Sequence, residues 1–393
     1  MIDPRTKPGR YWLAAGLLAA SQTTLAGALE VRPYVEYGTT YNNNLLTVPN
    51  ARARSETIRK ASIGTLVDWP VSRQRLIASG QVSRFRYRRY DQLDHSEYEG
   101  RATWEFQFGH AVYGALGYRR ERYLDDFDNR QRAITDFIDV SEPTLETYVQ
   151  VHPDYRIRTL VSHLRLDHSL AEQSRFDREQ TQARVELQYQ GVPDSVFGFG
   201  GETIDGRFPG RVSTDPLSPT FTQNSVFATF DWEYSGISRI QGQLGYTERD
   251  AGTRDDRDFG GMTGRLAYIR TLSAKTHVTL ELSRFIYSVD DVDANFVRDT
   301  GGRLVLDWDY SPKLALNASL GRREQVYQTL GADLARSDTV DELAAEMIYR
   351  PLRQFSVTAT AAYTQRDSNV ASENYDAVSG GLSFRWSPNP ENR

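Results

Sequence analysis

From residue 29 onward the chain alternates apolar and polar side chains with a period of two, in stretch after stretch of about ten residues. Residues 97–108 set Tyr98, Gly100, Ala102, Trp104, Phe106 and Phe108 against Glu97, Glu99, Arg101, Thr103, Glu105 and Gln107. Residues 180–189 and 302–310 repeat the pattern, with Ala183, Val185 and Leu187 in one and Leu304, Leu306 and Trp308 in the other. Such alternation gives each strand one apolar and one polar face. It predicts strands at about 29–41, 56–69, 75–90, 97–109, 111–124, 144–152, 155–168, 178–190, 195–206, 222–234, 238–249, 258–270, 275–287, 299–310, 314–327, 338–350, 354–366 and 375–386. That makes eighteen. No amphipathic helical pattern competes, apart from a short possibility around 331–336.

The connections alternate in kind. One set is tight and turn-rich, as at Trp69-Pro70, Gly109-His110, Pro153-Asp154, Ser311-Pro312 and Arg350-Pro351, where proline cannot donate to a ladder. The other set is longer and polar, as at 42–55, 125–143, 206–221, 249–257, 288–298 and 328–337. Short turns on one side and long loops on the other are the pattern of an outer-membrane barrel. An even number of strands puts both ends of the barrel on the short-turn, periplasmic side. The fold expected is therefore all-β: a single closed antiparallel transmembrane β-barrel over 29–386, with a short tail at 387–393.

Composition fits. No Cys excludes a disulfide scaffold and thiolate metal sites. A net charge of −5 speaks against a nucleic-acid partner. No stretch after residue 28 holds the ~18 apolar residues a spanning helix needs, which leaves a barrel open, since barrel strands are only half apolar. Residues 1–28 read as a cleaved secretory signal. Arg5, Lys7 and Arg10 precede the apolar run Tyr11–Ala20, and Ala26-Gly27-Ala28 supplies small residues for cleavage.

Aromatic residues mark one level of the wall. Trp69, Phe108, Tyr189, Tyr234, Tyr268, Tyr310, Tyr349 and Trp386 end eight of the nine strands that run toward the short turns. Tyr and Trp settle where hydrocarbon meets headgroup, so these eight are the expected membrane girdle. The segment Ser379–Trp386 is similar to the terminal signal read by barrel-assembly machinery, which implies that machinery as a partner during insertion, beside the lipid bilayer and lipopolysaccharide.

A barrel of this size encloses water. The expected pore-lining residues are Arg84, Arg86, Arg88, Glu97, Glu99, Arg101, Glu105, Arg119, Glu121, Arg184, Glu186, Glu233, Arg265, Glu281, Arg303, Asp307, Arg323 and Glu346, with Glu202, Asp231, Glu342 and Arg385. Turned outward, each Arg near the midplane costs about 2–4 kcal/mol. Two readings of these charges stand side by side. One is an internal salt-bridge network that stiffens the wall. The other is an arginine track for anionic or hydroxyl-rich solutes, led by Arg84, Arg86 and Arg88 near the outer mouth. Reversing Arg84 and Arg86 to Glu shifts ion selectivity if they line a pore. The acidic loop clusters Asp125-Asp126-Asp128, Asp255-Asp256-Asp258 and Asp290-Asp291-Asp293 read as solvated loops or as sites for divalent ions that bridge lipopolysaccharide. Neither HExxH, GxSxG nor a Gly-rich phosphate loop is present. His95 and His168 have Asp94, Asp167 and Ser169 as neighbours, but sequence neighbours on a strand point to opposite faces. No enzyme, cofactor or metal is expected.

The segments Tyr41–Leu46, Ile204–Pro209, Thr263–Tyr268 and Trp308–Lys313 resemble those of outer-membrane β-barrel proteins of exosortase-associated exopolysaccharide operons (EpsL-type), within the type-2 β-barrel porins. The resemblance runs through 29–386. It implies a role in exopolysaccharide biosynthesis or secretion, with polysaccharide as the partner and the bacterial outer membrane as the location. The alternatives are a general or nutrient-uptake porin, or a non-conducting surface barrel whose loops bind a partner or lipopolysaccharide.

Overall fold

The computed structural model describes residues 29–389 except 129, 213–216, 253–257, 290–293 and 330–334. The expected signal, the end of the tail, most of the 331–336 segment and the acids Asp255, Asp256, Asp290, Asp291 and Asp293 lie outside these residues.

Eighteen strands form one sheet. They are β1 (Glu30–Asn42), β2 (Glu56–Val71), β3 (Gln74–Tyr87), β4 (His95–Phe108), β5 (Val112–Leu124), β6 (Phe137–His152), β7 (Tyr155–His168), β8 (Arg178–Tyr189), β9 (Val196–Arg207), β10 (Thr220–Ser235), β11 (Ser238–Asp250), β12 (Phe259–Ser273), β13 (Thr276–Tyr287), β14 (Ala294–Ser311), β15 (Leu314–Thr329), β16 (Ser337–Leu352), β17 (Phe355–Ser368) and β18 (Tyr375–Trp386). Each is antiparallel to its sequence neighbour. The first and last also pair, from Val35 opposite Trp386 to Asn42 opposite Ser379, so the sheet closes on itself. Closure removes the edges that would leave backbone groups unpaired. At the short-turn end Gly109 takes φ 63° between β4 and β5, a conformation glycine reaches without a Cβ clash. The tail continues along β1, where the Asn389 Nδ2 donates to the Val31 carbonyl at 3.1 Å.

β6 differs from the expected 144–152. It starts at Phe137, within the stretch 125–143 that reads in the sequence as one of the longer polar connections. Toward β5 the pairing is continuous, with Tyr118 opposite Pro143. Toward β7 it lapses at Glu142 and Pro143 and resumes in the same register at Thr144. A proline without an N–H is thus absorbed on the side where the ladder is open.

Two observations separate the faces. On one, apolar side chains stand exposed, such as Ile63, Val82, Phe199, Leu244, Leu304 and Leu320. On the other, side chains two and three strands apart touch. The Tyr34 hydroxyl on β1 donates to Gln81 on β3 at 2.6 Å, and Arg184 on β8 donates to Gln243 on β11 at 2.8 Å. Side chains converge only on the concave side of a curved sheet, so the polar face is the inside. The exposed apolar face is the outer wall, far larger than the apolar patches of a soluble surface. All eight aromatics from Trp69 to Trp386 stand exposed on that outer wall.

Candidate functional site: the inner wall and its mouth

The inward parity carries Glu97, Glu99, Arg101 and Glu105 on β4, Arg119 and Glu121 on β5, Arg184 and Glu186 on β8, and Glu233 on β10. It continues with Arg265 on β12, Glu281 on β13, Arg303 and Asp307 on β14, Arg323 on β15 and Glu346 on β16.

Arg84, Arg86 and Arg88 correct the expectation. Val82 stands exposed on the outer wall opposite Ile63, and Ser83 is buried inside with its hydroxyl 2.9 Å from that of Ser62. Two residues on from Val82, Arg84 therefore faces outward, and Arg86 after it. Arg88 lies past the end of β3, where its N–H donates to Glu56 at 2.9 Å. Phe85 and Tyr87 take the inward positions. The apolar-out rule reverses here because β3 has risen above the apolar band at Val82, so its outward face no longer needs apolar side chains.

Inside, most guanidiniums have a carboxylate. Arg119 lies 2.8 Å from Glu142 and 2.9 Å from Glu121; Arg323 lies 2.8 Å from Glu342, Arg75 2.6 Å from Asp68, and Arg385 2.6 Å from Glu36. Arg265 pairs with Glu281. The largest cluster centres on Glu186, which is fully buried. Arg158 and Arg184 approach it at 3.2 and 3.0 Å, the Gln188 amide donates at 3.0 Å, and the Thr229 hydroxyl donates from two strands away. Gly198 lies between on β9, and a Cβ there would collide with both Glu186 and Thr229. Arg184 also covers the Phe227 ring at 3.9 Å, and Arg158 reaches on to Glu146 at 2.6 Å. Arg158 and Glu146 were legible as inward positions from alternation on β7 and on an extended β6, but nothing in the sequence marks them as one cluster. Among the described residues Arg101 and Arg303 have no carboxylate within 4.0 Å.

The mouth is narrowed by residues 125–128 and 130–136. This loop is folded on Arg130, which lies 2.8 Å from Asp125 and 2.7 Å from Asp136. Asp136 also meets the His168 Nδ1 at 2.9 Å, the Ser169 hydroxyl at 3.1 Å and the Leu170 N–H at 3.0 Å. Burial opposes the Asp136 charge, but the hydrogen bonds from His168, Arg130 and Leu170 prevail and hold its carboxyl down to about 2. Asp125, Asp136 and His168 have ligand-type atoms within 4.8 Å of one another, and Arg130 brings to them the positive charge a cation would supply. The loop then reaches sideways. Asp128 meets the inward Arg366 on β17 at 3.5 Å, Gln131 donates to the Ser372 carbonyl at 2.8 Å, and Thr47 donates to the Phe127 carbonyl at 3.1 Å. Asp125 and Asp128 of the first acidic cluster are thereby tied to arginines, and Asp126 stands exposed. His95 is equally structural: its ring stacks on Phe85 and its Nδ1 donates to the Leu93 carbonyl at 2.6 Å.

A closed eighteen-stranded barrel, apolar outside and polar inside, has the architecture of an outer-membrane porin. Comparison with known proteins agrees. A family model described as "Putative beta-barrel porin 2" matches residues 237–387, from the turn before β11 to the end of β18. Among curated proteins none matches. Among solved structures, the outer membrane protein OpdK of Pseudomonas aeruginosa is similar over 91% of this chain and 99% of its own, at 9% identity and a TM-score of 0.51. The same protein with vanillate gives 12% identity, the same coverage and 0.50. The siderophore receptor PirA of Pseudomonas aeruginosa covers 93% of this chain and 81% of its own at 11% identity, with a lower TM-score of 0.47. At these identities the likeness concerns the fold.

Proposed function

We propose that the chain is an outer-membrane pore that serves exopolysaccharide secretion by passing a hydroxyl-rich polymer through its lumen. The observation that carries this reading is the pairing of charge on the inner wall. An arginine track without counter-charges would draw in anions. Here Arg119, Arg158, Arg184, Arg265 and Arg323 are each answered by carboxylates. What such a wall offers a passing solute is a sequence of donors and acceptors with little net field, which suits exchange of hydrogen bonds with sugar hydroxyls. Export across the inner membrane through residues 1–28 and insertion by barrel-assembly machinery belong to the same proposal.

The test is a deletion strain assayed for secreted and surface polysaccharide, together with planar-bilayer recording of the purified barrel. Loss of polymer with an open, weakly ion-selective channel is expected; unchanged polymer counts against the role in secretion. A second reading, uptake of small polar solutes, is favoured by the loop at 125–136, which narrows the entrance. It is distinguished by permeation of small sugars in liposome swelling with polysaccharide unaffected.

A further inference from the structure

On the outer wall of β2–β5 four arginines stand without an acid among the described residues, although Arg122 on β5 pairs with Asp139 at 3.5 Å and Arg120 lies on the Tyr98 and Tyr118 hydroxyls. Arg59 and Arg86 lie directly opposite each other, with Arg84 two residues along β3 and Arg120 on β5. Like charges in register destabilise a sheet. All four are exposed, and among the described residues none has a carboxylate within 4.0 Å. Other outward arginines toward the same end are neutralised, among them Arg165 by Asp167 at 2.8 Å, Arg322 by Asp341 at 2.8 Å, and Arg207 by Glu179; Arg284 on β13 stands alone and without arginine neighbours in register.

Next to these arginines the wall is hollowed. A shallow groove of about 530 Å³ runs across the strands between Pro33, Ile63, Gly80, Val82, Gly100 and Arg120. Gly80 faces Gly100, and Gly100 faces Arg120. A Cβ on either glycine would meet nothing closer than 3.9 Å, so packing of the wall does not demand glycine there. What glycine does is keep the groove open.

We propose that this sector binds one phosphorylated glycolipid of the outer leaflet. Its phosphates lie on Arg59, Arg84, Arg86 and Arg120, and an acyl chain lies in the groove over Gly80 and Gly100. Guanidinium forks match phosphate oxygens, and the arginines stand toward the long-loop end of the wall, where the outer headgroups are. β3 and β5 are two strand spacings apart, about 10 Å, which one diphosphorylated headgroup spans with the help of the long side chains. The inference rests on the barrel standing in the outer membrane, and not on what crosses its lumen.

The experiment is native mass spectrometry of the refolded full-length barrel in detergent, titrated with diphosphorylated lipid A. Monophosphorylated lipid A, phosphatidylglycerol and inorganic phosphate serve as comparison probes. One lipid A per barrel is expected, with weaker binding of the monophosphorylated form and none of inorganic phosphate. The triple variant Arg59→Ala, Arg84→Ala, Arg86→Ala loses affinity by at least about tenfold, because charge-assisted hydrogen bonds are removed. The groove-filling pair Gly80→Leu, Gly100→Leu does the same, and Arg165→Ala leaves binding unchanged. Heat-modifiable migration shows whether each variant has refolded, so a failed barrel is told apart from a failed site. Lipid A binding within twofold of wild type in the triple variant overturns the proposal. So does equal binding of phosphatidylglycerol, or self-association through the groove in place of lipid.

Discussion

The arginines of the inner wall and those outside β2–β5 are the same side chain under opposite rules. Inside, Arg158 and Arg184 converge on a carboxylate with no exposure at all. Outside, Arg59 faces Arg86, and among the described residues neither has a carboxylate within 4.0 Å. Water is scarce around the buried cluster, so each charge there must be met by the chain itself. On the outer rim the side chains are exposed and solvent can answer the charge. Burial, not residue type, sets how much an arginine depends on a partner: Arg158 and Arg184 converge on a fully buried carboxylate, and Arg59 and Arg86 are exposed.

This contrast can be broken from the inside first. Glu186→Ala leaves Arg158 and Arg184 buried beside a missing partner, and a loss of about 3–5 kcal/mol is expected in urea unfolding of the barrel in lipid. A wild-type midpoint would show that the cluster is solvated after all. Gly198→Val drives side-chain atoms into Glu186 and Thr229, for about 1–3 kcal/mol by the same measurement.

The mouth sharpens it. Asp128→Asn weakens a half-exposed pair with Arg366, costs about 0–1 kcal/mol, and raises single-channel conductance as the loop releases. The Asp136 clamp has a definite pH sense. Its carboxyl titrates at about 2 in the fold against the ordinary 3.8. Its contribution is therefore complete above 3.8 and is lost as pH falls through about 2. Hydrogen-exchange protection at 125–136, taken relative to the intrinsic rate at each pH, is kept at pH 4 and falls below pH 3. Loss of protection already at pH 5 would assign the loop's order to some other group.

The smallest effect is expected outside. Arg84→Glu with Arg86→Glu changes stability by about 0.5 kcal/mol or less and leaves ion selectivity untouched, because neither residue meets the lumen. Arg101→Glu with Arg303→Glu, on the inner wall without carboxylate partners, shifts selectivity toward cations. Equal shifts from both pairs would return Arg84 and Arg86 to the pore.

Alternation along the chain determined the architecture by itself. Strand number, the alternation of short and long connections, the outward aromatics and the parity of the charged positions follow from a period of two, because successive side chains on a strand point to opposite faces of the wall. The parity of β3 was also legible: continuing outward from Leu76, Ala78 and Val82 leads to Arg84 and Arg86. It is easily misread because the chemistry of the outer face changes from apolar to charged within that one strand. Tertiary structure alone decided the rest. Glu186 meets Thr229 only across the missing side chain of Gly198, and Arg366 meets Asp128 only because a loop from β5 leans over the mouth. The groove needs the β3–β4 register that sets Gly80 beside Gly100 and the β4–β5 register that sets Gly100 beside Arg120. Each of these depends on curvature or on register between strands, and a period of two carries no information about either.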